Sequence, residues 1–234
     1  VCAVWGIRNK SSAKIKIIIS GETMGTTYNI SYLHREGINY KRDIDSLLKV
    51  WNKSLSTYIP ESEISYFNSH DTLIFQSGYF LPVLVKSKEV YEATGGAFDP
   101  TVMPLVNAWG FGPEKQPMPD SARIDSLLHF VGFDKVAFDS RAVWKKVHGV
   151  KLDFNAIAQG YGSDVVGDFL QSKGVINYII EIGGEVVSRG ENDKGRPWST
   201  GIEDPTDELS DRRITAIVEL KDRAISTSGN YRNF

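Results

Sequence analysis

The residues best suited to chemistry lie in one stretch, Leu152-Asp153-Phe154-Asn155-Ala156-Ile157-Ala158-Gln159-Gly160-Tyr161-Gly162-Ser163-Asp164. A carboxylate arrives at the end of an apolar run, and small side chains follow it. Asp153 can cap a helix after it by accepting from amides that lack partners in a first helical turn. Ala156, Ala158, Gly160 and Gly162 leave little side-chain bulk on those turns. A ligand can therefore come close to the backbone, and an anionic group suits a helix N-terminus. The same residues would equally serve a capped helix packed tightly on a sheet.

Other chemistries find no support. There is no glycine-rich Walker loop, no Gly-x-Gly-x-x-Gly opening a βαβ unit and no Gly-x-Ser-x-Gly elbow. The four histidines (His34, His70, His129, His148) are scattered without ligand spacing. The single cysteine, Cys2, excludes an internal disulfide framework and a cysteine-rich metal site. With 27 basic and 29 acidic residues the formal net charge is −2, which gives no polyanion footprint and argues against a nucleic-acid partner.

The elements that must position the stretch can be read from periodicity. At 234 residues, 41 % hydrophobic and 24 % charged, the chain can bury a full core as one large domain or two joined lobes. A helix capped by Asp43 carries Ile44, Leu47, Leu48, Trp51 and Leu55 on one stripe. A second carries Leu81, Leu84, Val85, Lys88 and Tyr91 and stops at Gly95, with the Lys88 stem at the stripe's edge. A third starts near Asp120 with Ile124, Leu127, Leu128 and Val131, and a fourth follows Asn155 and ends near Gly174.

Strand signals fall at 15–20, 28–32, 135–138, 142–147, 177–182, 185–189, 198–202, 214–220 and 224–227. Helices come mostly first and strands late, without regular alternation. That predicts an α+β fold, with largely antiparallel sheets and packed helices. Pro113, Pro117 and Pro119 mark an exposed loop.

Several small-residue turns share the character of the central stretch: Thr23-Met24-Gly25-Thr26-Thr27-Tyr28, Gly95-Gly96-Ala97-Phe98-Asp99-Pro100-Thr101-Val102 and Glu181-Ile182-Gly183-Gly184-Glu185. With Leu55-Ser56-Thr57-Tyr58, the 104–112 segment and Ala224-Ile225-Ser226-Thr227-Ser228-Gly229, they form an ordered set from about Gly21 onward. This set resembles the flavin transferase family named after ApbE, the FAD:protein FMN transferases.

The resemblance implies that FAD is bound by Met24, Tyr58, Ala97, Phe98, Asp99 and Asp153, with Gln159 beside the phosphates. It implies a magnesium ion held in part by the backbone carbonyl of Ala156, as suits a hard cation that prefers oxygen and phosphate. Thioether and aromatic faces stack on flat π systems, which suits Met24 and Tyr58 to ring contact, although core packing would use both equally well. Asp99 would also cap a helix through Pro100 at its first turn.

Two departures stand out. Where the family motif reads Gly-Ala-Ile-Ala-Lys-Gly, this chain has Asn155-Ala156-Ile157-Ala158-Gln159-Gly160, so no positive charge enters there. The sequence stops at Tyr231-Arg232-Asn233-Phe234, before the family's His-x-x-Asp-Pro-x-x-Gly segment and its later Asp/Thr metal ligands. The expectation is a domain over residues 14–234 that is incomplete at its C-terminal end.

Residues 1–13 begin with an apolar run, Val1 to Ile7, followed by Arg8, Asn9 and Lys10. That run is too short to span a bilayer, which needs roughly 20 residues. It reads either as the remnant of an export or anchor segment or as an apolar first strand. The expected activity is magnesium-dependent transfer of FMN from FAD to a threonine or serine of an acceptor protein. The acceptor would be a subunit of a membrane electron-transfer complex, and the site exported, on the periplasmic side of the inner membrane and anchored there. FAD pyrophosphatase activity and flavin binding without turnover are the alternatives.

Overall fold

In Thr26–His34 the alternation of Tyr28, Ile30 and Tyr32 puts three large side chains on one face. In a computed structural model describing residues 14–113, 117–204 and 213–228, all three are fully buried. Each contributes about 1.5–3 kcal/mol by leaving water. This strand, β2, pairs antiparallel with β1 (Ile15–Thr23) across a two-residue turn at Met24-Gly25.

Helix α1 (Lys41–Leu55) follows and buries Ile44, Leu48, Trp51 and Leu55. Asp43 is not its cap, as the sequence suggested: Tyr40 takes that position, and Asp43 lies in the first turn, where its charge suits the helix dipole. The Asn39 side chain accepts from the Lys41 amide at 2.9 Å instead. Two elements follow that periodicity did not reveal, α2 (Glu63–Ser69), capped by Ser62, and β3 (Thr72–Ile74). Both are shorter than the window over which periodicity speaks.

Helix α3 (Phe80–Ala93) buries Phe80, Val83, Leu84 and Ser87. Val85 and Lys88 are exposed, so the expected stripe is rotated toward Phe80, and the buried Ser87 hides the true face from hydropathy. Helix α4 (Met103–Ala108) starts later than expected, with Pro104 rather than Pro100 in its first turn. Helix α5 (Ser121–Leu128) is capped by Asp120, which accepts from the Arg123 amide at 2.8 Å. Pro113 and Pro117, flanking it on the N-terminal side, are exposed.

Strands β4 (Val136–Phe138) and β5 (Ala142–Lys145) join β3 in a three-stranded sheet. The long α6 (Asn155–Ser172) then crosses to β6 (Tyr178–Ile182) and β7 (Glu185–Arg189). A hairpin of β8 (Trp198–Glu203) and β9 (Ile214–Leu220) precedes the short β10 (Ala224–Ile225). The main sheet runs β1-β2-β6-β7-β10, and every pairing within the three sheets is antiparallel. The fold is α+β, as the sequence predicts. Helix α6 lies over the main sheet with α1 beside it, and Met24 packs against both hydrophobic clusters of the core.

Candidate functional site

Two tight turns, Met24-Gly25 and Gly183-Gly184, stand side by side at one end of the main sheet. The Gly183 amide donates to the Thr27 carbonyl at 3.1 Å. All four residues have positive φ (+54°, +71°, +59° and +95°), the geometry that lets a two-residue turn follow strand twist. Glycine accepts it freely, but Met24 does so at a cost of about 1–2 kcal/mol. The first turns of α6 close against this pair. Gln159 Nε2 lies 2.8 Å from where a β-carbon on Gly183 would stand, so only glycine leaves room for it.

Between these turns, α1, α3 and α6 opens a cleft of about 2460 Å³. Its walls include Met24, Tyr58, Ala156, Gln159 and Gly160, with Thr200–Glu203 and 225–228 on the far side. Nothing lies within 4 Å of a β-carbon built on Gly160, so the backbone there is open to a ligand. Tyr58 is 62 % exposed, so its ring is not core, and its hydroxyl donates to the Phe111 carbonyl at 3.2 Å. A smaller cavity of about 510 Å³ lies on the other side of Met24, Asn52 and Tyr58, which line both spaces.

The start of α6 is partly self-satisfied. Asp153 Oδ1 accepts from the Asn155 amide at 2.7 Å, and Phe154 O accepts from Ile157 and Ala158 at 2.9 and 2.7 Å. Phe154 is the formal cap, so Asp153 does the capping work expected of it from one residue further out. Its carboxyl is buried, and that burial pushes its pKa up against the lowering effect of the Asn155 hydrogen bonds.

The cleft wall is acidic. Asp164, Asp168, Glu181, Glu185 and Glu203 line it, against Lys86 as the one cation among the described residues. Asp164 is solvent-accessible yet recessed between the walls. Desolvation there, then the charge of Asp168 one turn on, pushes its carboxyl up. Tyr161, also on the wall, is raised first by burial and then by Tyr79, Asp168 and Asp164. Glu181 is fixed by Asn29 Nδ2 at 2.8 Å and the Gly184 amide at 2.9 Å.

The structure brings Met24, Tyr58, Ala156 and Gln159 together on this wall. Ala97, Phe98, Asp99 and Asp153 do not line the cleft. Asp99 accepts from the Thr101 amide at 2.8 Å and its hydroxyl at 2.6 Å, which forms a turn rather than the predicted helix cap. That turn is joined to the start of α6, because the Asp153 amide donates to Pro100 O at 2.7 Å. Among the described residues no three histidine, cysteine, aspartate or glutamate side chains converge to hold a metal. The Ala156 carbonyl therefore has no side-chain ligand set beside it within those residues.

Sequence reasoning missed Asn52, Lys86, Asp168 and the β8 wall as cleft residues, gave Asp164 no role within its stretch, and placed Trp51 only in a helix stripe. Lys86 follows Val83 by three residues and so borders the buried face of α3, where a lysine gives no sign of whether it meets solvent or a ligand.

The ApbE family model matches residues 24–234, and the chain belongs to that family. Its relatives are flavin transferases, and the chain falls within that class of enzymes. It is 40 % identical over 227 residues to the FAD:protein FMN transferase of Vibrio cholerae, covering 94 % of this chain and 67 % of that protein. The Haemophilus influenzae FAD:protein FMN transferase is 37 % identical, with 92 % and 66 % covered. The solved flavin transferase ApbE from Vibrio cholerae superposes with a TM-score of 0.83 at 39 % identity, covering 94 % of this chain and 74 % of that one. The chain thus spans about two thirds of the length of the curated relatives.

Proposed function

We propose that this protein transfers FMN from FAD to a serine or threonine hydroxyl of an acceptor protein. The acceptor oxygen attacks the phosphorus on the FMN side, the bond to the bridging oxygen breaks, and AMP leaves with that oxygen. The hydroxyl proton passes to solvent or to the departing phosphate. The observation that carries this reading is the cleft itself: large enough for a dinucleotide, with an exposed tyrosine face at one wall and open backbone at Gly160. Met24, Tyr58 and Gln159 would hold the dinucleotide.

Magnesium belongs to the proposal on electrostatic grounds. Among the described residues, the carboxylates of Asp164, Asp168, Glu181 and Glu185 beside a single lysine make a poor lodging for a pyrophosphate unless a cation comes with it. The described residues supply the Ala156 carbonyl and no complete ligand set. When bound, the ion would withdraw charge from the phosphates and stabilise the leaving AMP.

We further propose an acceptor in a membrane electron-transfer complex and an exported, membrane-anchored setting at the periplasmic face. The apolar run at 1–7 that supports anchoring lies outside the described residues, among which no helix is long and apolar enough to cross a membrane. Fractionation of cells expressing the full-length protein tests the setting. The activity is tested by incubation with FAD, magnesium and an acceptor domain, scoring covalent flavin by in-gel fluorescence and free FMN by chromatography. Covalent flavin supports transfer, free FMN supports a pyrophosphatase, and neither leaves a flavin binder.

A further inference from the structure

Trp51 is 2 % exposed, and its indole Nε1–H is buried without a hydrogen-bond partner. A buried donor left unmade is costly, so such groups in folded proteins call for an explanation. Trp51 also lines the cleft, as do Met24 and Leu55, which pack in the same hydrophobic cluster. The Cε2 and Cζ2 edge of its ring, which carries Nε1, lies 3.7 Å from where a β-carbon on Gly162 would stand. The Met24 methyl fills the same slot, 2.5 Å from that position. Met24 in turn has a left-handed backbone and lines both the cleft and the smaller cavity. An unpaired donor, a strained residue and a glycine slot therefore meet at one point on the wall.

We propose that Trp51 is a ligand-binding residue whose indole N–H donates to an acceptor on a flat ring of the bound dinucleotide. The inference rests on the FAD reading above. Met24 covers the indole edge in the free protein and is the side chain that moves aside. Its unbranched thioether can do so without disturbing β1 or β2. A ring carbonyl or ring nitrogen suits the site, because the surroundings are apolar and a single donor is offered. A phosphate would need several donors, which this corner lacks. Isoalloxazine and adenine both carry such acceptors, and the experiment separates them.

Trp51→Phe removes the donor and keeps an aromatic ring. FAD affinity, measured by calorimetry, is expected to fall roughly three- to tenfold, the size of one neutral hydrogen bond. The melting temperature of the ligand-free variant is expected to hold or rise, since an unpaired buried donor has gone. Riboflavin and AMP are titrated separately, and the arm that weakens names the ring. Equal FAD affinity for both proteins overturns the proposal, as does a loss of affinity that only tracks a loss of folded protein.

If the variant does not fold, the wild-type indole N–H resonances give the same answer. Trp51 is assigned by subtraction using Phe variants of Trp5, Trp109, Trp144 and Trp198. A downfield shift of the remaining resonance on adding FAD supports the proposal, and an unmoved one overturns it. A wild-type protein that binds no FAD at all sinks the functional reading itself. Binding without any Trp51 response sinks only this inference.

Discussion

The hydroxyl of Tyr178 lies 2.8 Å from the position that a β-carbon on Gly167 would occupy. It accepts there from Gln171 Nε2 at 3.0 Å, one helical turn further along α6. This is how the long helix is seated on β6: a glycine lets the ring pass beneath it. Gly162 does the same for Met24, but the two intruders differ. Met24 presents the loose end of a flexible chain, whereas Tyr178 is a stiff ring anchored in the sheet.

Gly167→Ala is therefore expected to destabilise the fold. Overpacking costs about 1–3 kcal/mol and the gain in helix propensity returns up to about 1 kcal/mol, leaving a net loss. Thermal unfolding should fall by several degrees. Gly162→Ala should leave the melting temperature nearly unchanged, because Met24 can yield, and alter FAD affinity instead. Equal melting losses for the two variants would refute this account of the helix.

Tyr58→Ala tests the exposed aromatic wall. The loss of a stacked ring should weaken FAD binding by about 1–3 kcal/mol. The fold should tolerate the change, since the ring buries little and only the bond to Phe111 is lost. Calorimetry giving equal affinity for both proteins removes Tyr58 from the site.

Much of this arrangement could be read from the chain, and the exceptions have physical reasons. The pairings of β1, β2, β6 and β7 follow from runs of β-branched and aromatic residues around glycine turns. The start of α6 announced itself through Asp153 and its small residues. What stayed hidden was long-range. Nothing local says that Lys86 and Thr200 face the same space as Gln159, or that Ala97 to Asp99 lie off its wall. Trp51 was misleading in another way, since a tryptophan in a helical stripe looks the same whether its N–H is satisfied or not.

Lys86 should matter through its charge. Its ion pair with Glu89 is a solvent-exposed one, worth little, so the ammonium can turn toward a phosphate. Lys86→Ala is expected to weaken FAD binding several-fold at low salt and progressively less as salt is added, while riboflavin binding stays unchanged. Titrations at two ionic strengths decide it. A salt-independent loss would mean packing rather than charge.

Asp153 gives a pH signature. Burial raises its pKa above the unfolded value, so the folded protein prefers the protonated carboxyl. The stability this group contributes is complete below the ordinary carboxylate range of about 4. It is lost as pH rises through the elevated value. Asp153→Asn keeps an acceptor for the Asn155 amide and removes the titration. The wild type should therefore lose stability relative to the variant as pH rises above the ordinary carboxylate range. If Asp153 also orients the dinucleotide, turnover per folded variant molecule should drop far more than stability does. Parallel melting curves at all pH values would show that its charge is solvated.

The pairing of β2 with β6 joins Asn29 to Glu181, 152 residues apart. Such a long loop is slow to close, so the main sheet cannot be an early product of folding. Met24 and Gly183, which both line the cleft, lie on opposite sides of that closure. The first hairpin and α1 close through local contacts, but the ligand cleft must await the later residues that line it, out to Ser228. A partly folded chain that lacks the β2–β6 pairing therefore lacks the assembled cleft. In refolding experiments the flavin should bind only after the slowest phase and leave the earlier ones unaccelerated.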